Sequence, residues 1–214
     1  MKKAVKIVGI VLVCLIAAMA IIPLAFKDKI KGTVISEAEK YIDAEFGFDG
    51  LGISLFREFP QASVSIKGLW VRGKEDFAQD TLVYVGRAEA AVDVMSLFGN
   101  SGFDITKVSL DDTYLKAIVL EDGRVNWDVM KPSDEVEQED DGQTASFSVK
   151  LKRLTVDNLS AEYDDRQGGM YASVEELEAA CSGDLGSDET TIKLKAETPS
   201  VTFRTGGVPM LSRA

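Results

Sequence analysis

Residues 63–70, Ser63-Val64-Ser65-Ile66-Lys67-Gly68-Leu69-Trp70, decide the fold class, because there the hydrophobic period becomes two. Val64, Ile66 and Trp70 alternate with Ser63, Ser65 and Lys67, and successive side chains of an extended strand point to opposite faces. The alternation returns at Ala88, Ala90, Val92 and Val94 against Glu89, Ala91 and Asp93. It returns again at Ile192, Leu194 and Ala196 against Lys193, Lys195 and Glu197. Each run is a strand with one apolar and one polar face. Asp122-Gly123 between residues 118–120 and 125–127, and Gly168-Gly169 between Tyr163 and Tyr171, supply hairpin-turn chemistry. The expected fold is mainly β, an extended antiparallel β-meander over residues 48–214.

Upstream the period is four. Ile30, Val34, Ala38, Ile42 and Phe46 fall on one face of a helix, with Glu37, Lys40 and Glu45 elsewhere and Gly47 as its stop. The spacing predicts an amphipathic helix over residues 28–47 whose apolar stripe packs on the β domain. Before it, residues 7–26 read IVGIVLVCLIAAMAIIPLAF, twenty positions without a charge. At about 1.5 Å per residue such a helix spans the roughly 30 Å of a bilayer core. Residues 1–27 are therefore expected to be a transmembrane anchor. Ala18-Met19-Ala20 offers the alternative, cleavage as a signal peptide, but the apolar run outlasts an ordinary signal core. Cys14 sits in the run as a small apolar residue, because Val11-Leu12-Val13 before it is a poor lipidation signal.

An internal repeat links two later segments. Lys107-Val108-Ser109-Leu110-Asp111-Asp112 resembles Arg153-Leu154-Thr155-Val156-Asp157-Asn158 at an offset that also maps Gly123 onto Gly169. Residues 67–71 give a looser third copy. Such repetition suggests a sheet that grows by adding similar hairpin units. Residues 132–146, PSDEVEQEDDGQTAS, carry six acids and no aromatic residue and are expected to be a solvated loop. They lack the alternating acid pattern of a calcium loop, so no metal site is expected there.

Charge and composition narrow the function. The net charge is −11, yet residues 1–31 hold six lysines against one acid, which leaves sixteen net negative charges on the remainder. A domain so acidic repels phosphate backbones and anionic headgroups, which disfavours nucleic acid as a partner. Histidine is absent, removing the commonest general base and metal ligand together. Cys14 and Cys181 do not pair, so no disulfide or thiolate metal site is expected. Asp111-Asp112 and Asp164-Asp165 are read as solvated turn acids, Trp70 and Trp127 as core aromatics, and Cys181 as a small buried residue. The expectation is a non-enzymatic protein with no catalytic residue, no metal and no cofactor.

Several motifs then point together. Phe59-Pro60, residues 63–66, Leu69-Trp70-Val71 and Gly73 resemble the opening strands of the AsmA family. Phe77, Asp80-Thr81-Leu82 and residues 92–97 (VDVMSL) are similar to its next strand and turn, and residues 122–128 (DGRVNWD) to its D-G-x-x-N-W-D hairpin. Downstream of about residue 160 the likeness is one of pattern only. Family members are usually longer, and this chain stops in strand sequence at Ala214, so it is expected to be part of a longer protein.

The resemblance implies a single-pass inner-membrane protein of a diderm bacterium, with its N-terminus cytoplasmic and its bulk periplasmic. It further implies a curved, groove-like sheet that binds or conducts phospholipid between the inner and outer membranes and contributes to outer-membrane biogenesis. On that reading the apolar faces hold acyl chains, and the expected lipid-facing residues are Val64, Ile66, Val92, Val94, Ile192 and Leu194. The alternative is a periplasmic assembly or interaction module acting with envelope protein partners on outer-membrane protein assembly, its sheet edge pairing with a partner strand.

Overall fold

The computed structural model describes residues 31–32, 35–36, 38–58, 61–93, 103–131, 147–183 and 191–213. The expected anchor, the acidic segment 132–146 and Val94 lie outside them. Among the described residues no helix is long and apolar enough to cross a membrane.

Among the described residues ten strands form one open sheet: β1 (Glu45–Gly47), β2 (Gly50–Glu58), β3 (Gln61–Arg72), β4 (Thr81–Val92), β5 (Phe103–Val119), β6 (Phe147–Asp165), β7 (Met170–Ser182), β8 (Lys193–Glu197), β9 (Ser200–Thr205) and β10 (Val208–Arg213). The order across the sheet is β1-β3-β4-β5-β6-β7-β9-β10, with β2 continuing along β3 and β8 along β7. Every extensive contact between elements joins hydrogen-bonded neighbours, so the described strands make a single layer. Fully buried apolar residues are few for that reason; Phe77, Leu82 and Ile118 cluster where the short 3₁₀ turn Glu75–Phe77 and the 120–131 segment lie.

The expected antiparallel meander is corrected at the centre. β5 and β6 are parallel, pairing Lys107 with Arg153, Leu110 with Val156 and Asp111 with Asp157. That register is the repeat itself: the two copies lie side by side, position on position. Matched apolar positions then share one face, which a slipped register would forfeit. The connection from Val119 to Phe147 must return along the length of the sheet, and the acid-rich segment belongs to it.

The helix expectation is corrected at its C-terminal end. Helical residues run no further than Tyr41. Ile42 instead bridges Met130, and Phe46 pairs with Val71 in β1. Pairing of these backbone groups with the sheet overrides the four-residue spacing, which local propensity alone favours only weakly.

One feature crosses every long strand. Apolar alternation slips by one residue between Ile66 and Leu69, Val85 and Ala88, Leu110 and Thr113, Val156 and Leu159, and Val174 and Leu177. The slips are in register, since Lys67 pairs with Arg87, Arg87 with Asp111 and Asp111 with Asp157. At the slip Gly68, Asp112, Asn158 and Glu176 hold positive φ of 60°, 54°, 56° and 49°. A left-handed residue turns a strand locally so that its flanking apolar side chains emerge on one face, and because β3 to β6 slip together their pairing continues without a bulge at this line. Gly86 has no room for a side chain, because a Cβ there would lie 2.9 Å from that of Asp112. Both outer strands break on the same line: β1 gives way to β2 around Asp49, and β8 to β9 around Thr198-Pro199. The sheet thus carries a transverse crease. Asp111-Asp112, expected beside a turn, lie in the middle of β5 on this crease; Asp164-Asp165 do adjoin the β6–β7 turn, where Asp165 accepts from the Gly168 amide at 2.7 Å.

Candidate functional site

Side chains paired across neighbouring strands point the same way, so the registers trace rows of residues across one face. On one side of the crease runs Ile53, Val64, Ala90, Val108, Leu154, Cys181 and Leu194. Beside it runs Leu51, Ile66, Ala88, Leu110, Val156, Ala179 and Ala196. On the other side Phe46, Val71, Val83, Leu115, Ala161, Val174 and Val201 make the corresponding row. Six strand spacings of about 4.8 Å give each row a width of roughly 29 Å. None of these residues carries a charge.

The rows deepen into a groove between β5 and β9. Its volume is about 630 Å³, and Leu115, Ala117, Ala161, Tyr163, Ala172, Val174, Val201 and Phe203 contribute to its walls. That size lies within the roughly 300–1,000 Å³ of small-molecule sites. The small residues make the hollow: Ala117 pairs with Tyr163, Tyr163 with Ala172, and Ala172 with Phe203, so large rings flank short side chains. At the crease Thr113 is buried on this face, and its hydroxyl has no hydrogen-bond partner.

The opposite face is polar. Lys116 donates to Asp80 at 2.7 Å, which pushes the lysine pKa up, and Tyr114 donates to Glu162 at 3.2 Å. Burial, and then the Glu162 charge, push the Tyr114 hydroxyl up. Arg72 lies over Trp70 and Arg204 over Tyr171, 5.0 and 4.6 Å from the ring centroids. Asp111 is raised from the usual aspartate range by burial and by Asp157 beside it. A second hollow of about 530 Å³, at the crease on this side, is lined by Asn158, Glu176, Glu178, Glu197, Thr198 and Pro199. Its carboxylates make it unsuited to an apolar ligand.

The sequence-predicted residues fall unevenly on this geometry. Val64, Ile66, Val92 and Leu194 lie on the apolar face, with Val64 second from one end of a row and Leu194 at its other end. Leu194 is 71% exposed on the short strand β8, while Ile192 precedes that strand and has no sheet partner. Val94 lies outside the described residues. The groove residues from Leu115 to Phe203 were not singled out by alternation, although the three-residue gap in each strand was present in the sequence as their signal. Trp70 and Trp127 are not core: Trp70 is half-buried on the polar face and Trp127 is 42% exposed. Strand aromatics bury fully only between layers, and here there is one. Cys181 is half-buried for the same reason.

Among the described residues the sheet is a single layer with a continuous apolar face and a polar reverse. The AsmA family model matches residues 1–205, and the chain belongs to the AsmA family. A comparison with curated proteins gave no match.

Proposed function

We propose that this protein is an envelope component, anchored in the inner membrane by residues 7–26, whose apolar sheet face holds the acyl chains of phospholipids. Family membership supports an envelope role. The observation that carries the lipid reading is the slip shared by all five long strands, in register from β3 to β6 and displaced by about two residues at β7. It keeps apolar residues on one face through the bend and so maintains a path along β5 and β6, about 60 Å long at roughly 3.3 Å per residue. Contiguous apolar surface of this extent marks an interaction site on a soluble domain. Burial of acyl chain there is favourable by about 25 cal/mol per Å² and needs no catalytic group, cofactor or metal. Headgroups remain in water at the open side. The path from inner to outer membrane, and a contribution to outer-membrane biogenesis, follow from this reading.

Photo-crosslinking in intact cells tests it. Probes at Val174 and Phe203 should give lipid adducts, and a probe at Arg204, which lies over the Tyr171 ring on the polar face, should give none. Protein adducts or no adducts at the first two positions, in a folded and membrane-bound chain, would overturn the lipid reading.

A second reading, an assembly module, is favoured by β10, the last strand in the order of the described residues, where Val208, Met210 and Leu211 are 58%, 64% and 50% exposed. Pro209 and the bulge between Pro209 and Leu211 blunt that edge, however, and weaken it as a template for a partner strand.

A further inference from the structure

The end of the sheet beside helical residues 38–41 carries a cluster of exposed aromatic and thioether side chains that the strands do not use. Tyr41, Trp127 and Met130 are 47%, 42% and 62% exposed. All three belong to one clamped unit. Ile42 bridges Met130, the Asp43 amide donates to Val129 O at 2.7 Å, and the Lys131 amide donates to Tyr41 O at 2.9 Å. The Lys131 ammonium adds a bond to Glu39 O at 2.7 Å. The 125–131 segment is thereby fastened to the last turn of the helix that leads back toward residue 31.

Three observations say what this cluster meets. Only fifteen positions separate Phe26, the last residue of the uncharged run, from Tyr41. That tether is roughly 22 Å long as helix and about 50 Å when extended, so the clamped unit stays close to any bilayer that the run enters. Tryptophan and tyrosine favour the headgroup level of a membrane, where an apolar ring and a polar atom are both satisfied. Trp127 also touches the groove: its ring lies 6.3 Å from that of Tyr163, tilted by 36°, and Tyr163 lines the apolar hollow.

We infer that Trp127, Met130 and Tyr41 form a bilayer-contacting lip at the anchor-proximal mouth of the groove, with the Trp127–Tyr163 pair marking where an acyl chain passes from membrane to sheet. The contact itself depends on the anchor; the passage of acyl chains rests on the lipid reading above. Glu121, Asp122 and Asp128 are balanced by Arg124, Lys131 and Lys40 in the same unit, so the lip is close to neutral and suits a zwitterionic surface.

The two tryptophans provide the test. The full chain is reconstituted in phosphatidylcholine vesicles containing lipid brominated near the headgroup. A Trp70→Phe chain reports on Trp127 alone, and a Trp127→Phe chain reports on Trp70. Trp127 emission is expected to fall at least ~2-fold more than Trp70 emission, as for an interfacial ring. Equal quenching of the two would overturn the lip. A brominated lipid seated in the groove would also quench Trp127, so the measurement is repeated with Ala172→Phe added to fill the hollow. Quenching that persists supports contact with the bilayer surface. Quenching that vanishes overturns the lip and leaves the groove standing, whereas persistent quenching with no lipid adducts at Val174 and Phe203 removes the groove and leaves the contact.

Discussion

The side-chain amide of Asn158 donates a 2.9 Å hydrogen bond to the carboxylate of Asp112, and the two residues occupy the same position in successive copies of the repeat, on parallel neighbouring strands. Both are left-handed, at φ 56° and 54°. Asparagine and aspartate tolerate that region better than other side chains, because short polar groups bond locally there. The crease is therefore written into the residue types of three strands, with left-handed glycine in β3 and Asx in β5 and β6, whereas β4 uses Gly86 for room and β7 turns at Glu176.

Replacing Asn158 with valine puts a β-branched residue where φ is positive and deletes the bond to Asp112. A loss of about 2 kcal/mol is expected, read from urea unfolding of the sheet in the full chain held in detergent. Asn158→Gly should lose less than half of that, since it keeps the backbone geometry. Equal losses for both would show that the crease does not depend on this conformation.

Thr113 stands on the apolar face with its hydroxyl buried and unpartnered. Thr113→Val removes a polar atom without changing shape much, and should raise stability by about 1 kcal/mol. A fall in melting temperature would mean that the hydroxyl has a partner in the working protein.

Asn126 is 2% exposed and completes the 120–131 hairpin. Its Oδ1 accepts from the Ile118 amide at 2.8 Å, and its Nδ2 donates to Lys116 O at 2.7 Å. Alanine there leaves two strand groups without partners and should cost about 2–3 kcal/mol. Asn126→Asp retains the acceptor but turns the donor into a second acceptor facing Lys116 O. It should therefore remain well below the parent in stability at neutral pH and recover part of the loss in acid, where a protonated carboxyl donates again.

Asp111 is the pH-sensitive member of the crease. Burial and the facing Asp157 raise its pKa in the folded protein. A carboxyl raised on folding makes its full contribution below the unfolded aspartate value, and that contribution is lost as pH rises through the folded value. Asp157→Asn should therefore stabilise the protein at pH 7, by on the order of 0.5 kcal/mol given solvent screening at a partly exposed site. The gain should fade as pH drops through the aspartate range. Thermal melts of the two chains across that range decide the point; a gain that grows in acid would reverse the assignment.

Much of this protein was legible in its residues because the relevant signals are local. Ser63 to Trp70 alternate with period two, and alternation by itself distinguishes a strand from a helix. The motifs around Phe59, Trp70 and Asp122 carried the family, and the match of the offset copies carried the spacing of two central strands. Partner choice was not local. Hairpin logic at Asp122-Gly123 and Gly168-Gly169 favoured antiparallel neighbours throughout, yet only the fold brought Leu110 beside Val156 in parallel, because closing the longer connection costs only slightly more entropy. The same holds for the apolar face. Sequence showed which residues alternate within each run, but across Asp112 or Asn158 the side on which the next apolar residue emerges depends on a backbone angle. Tertiary structure decided that the slips line up across five strands, and so joined separate half-strand stripes into one groove-bearing face.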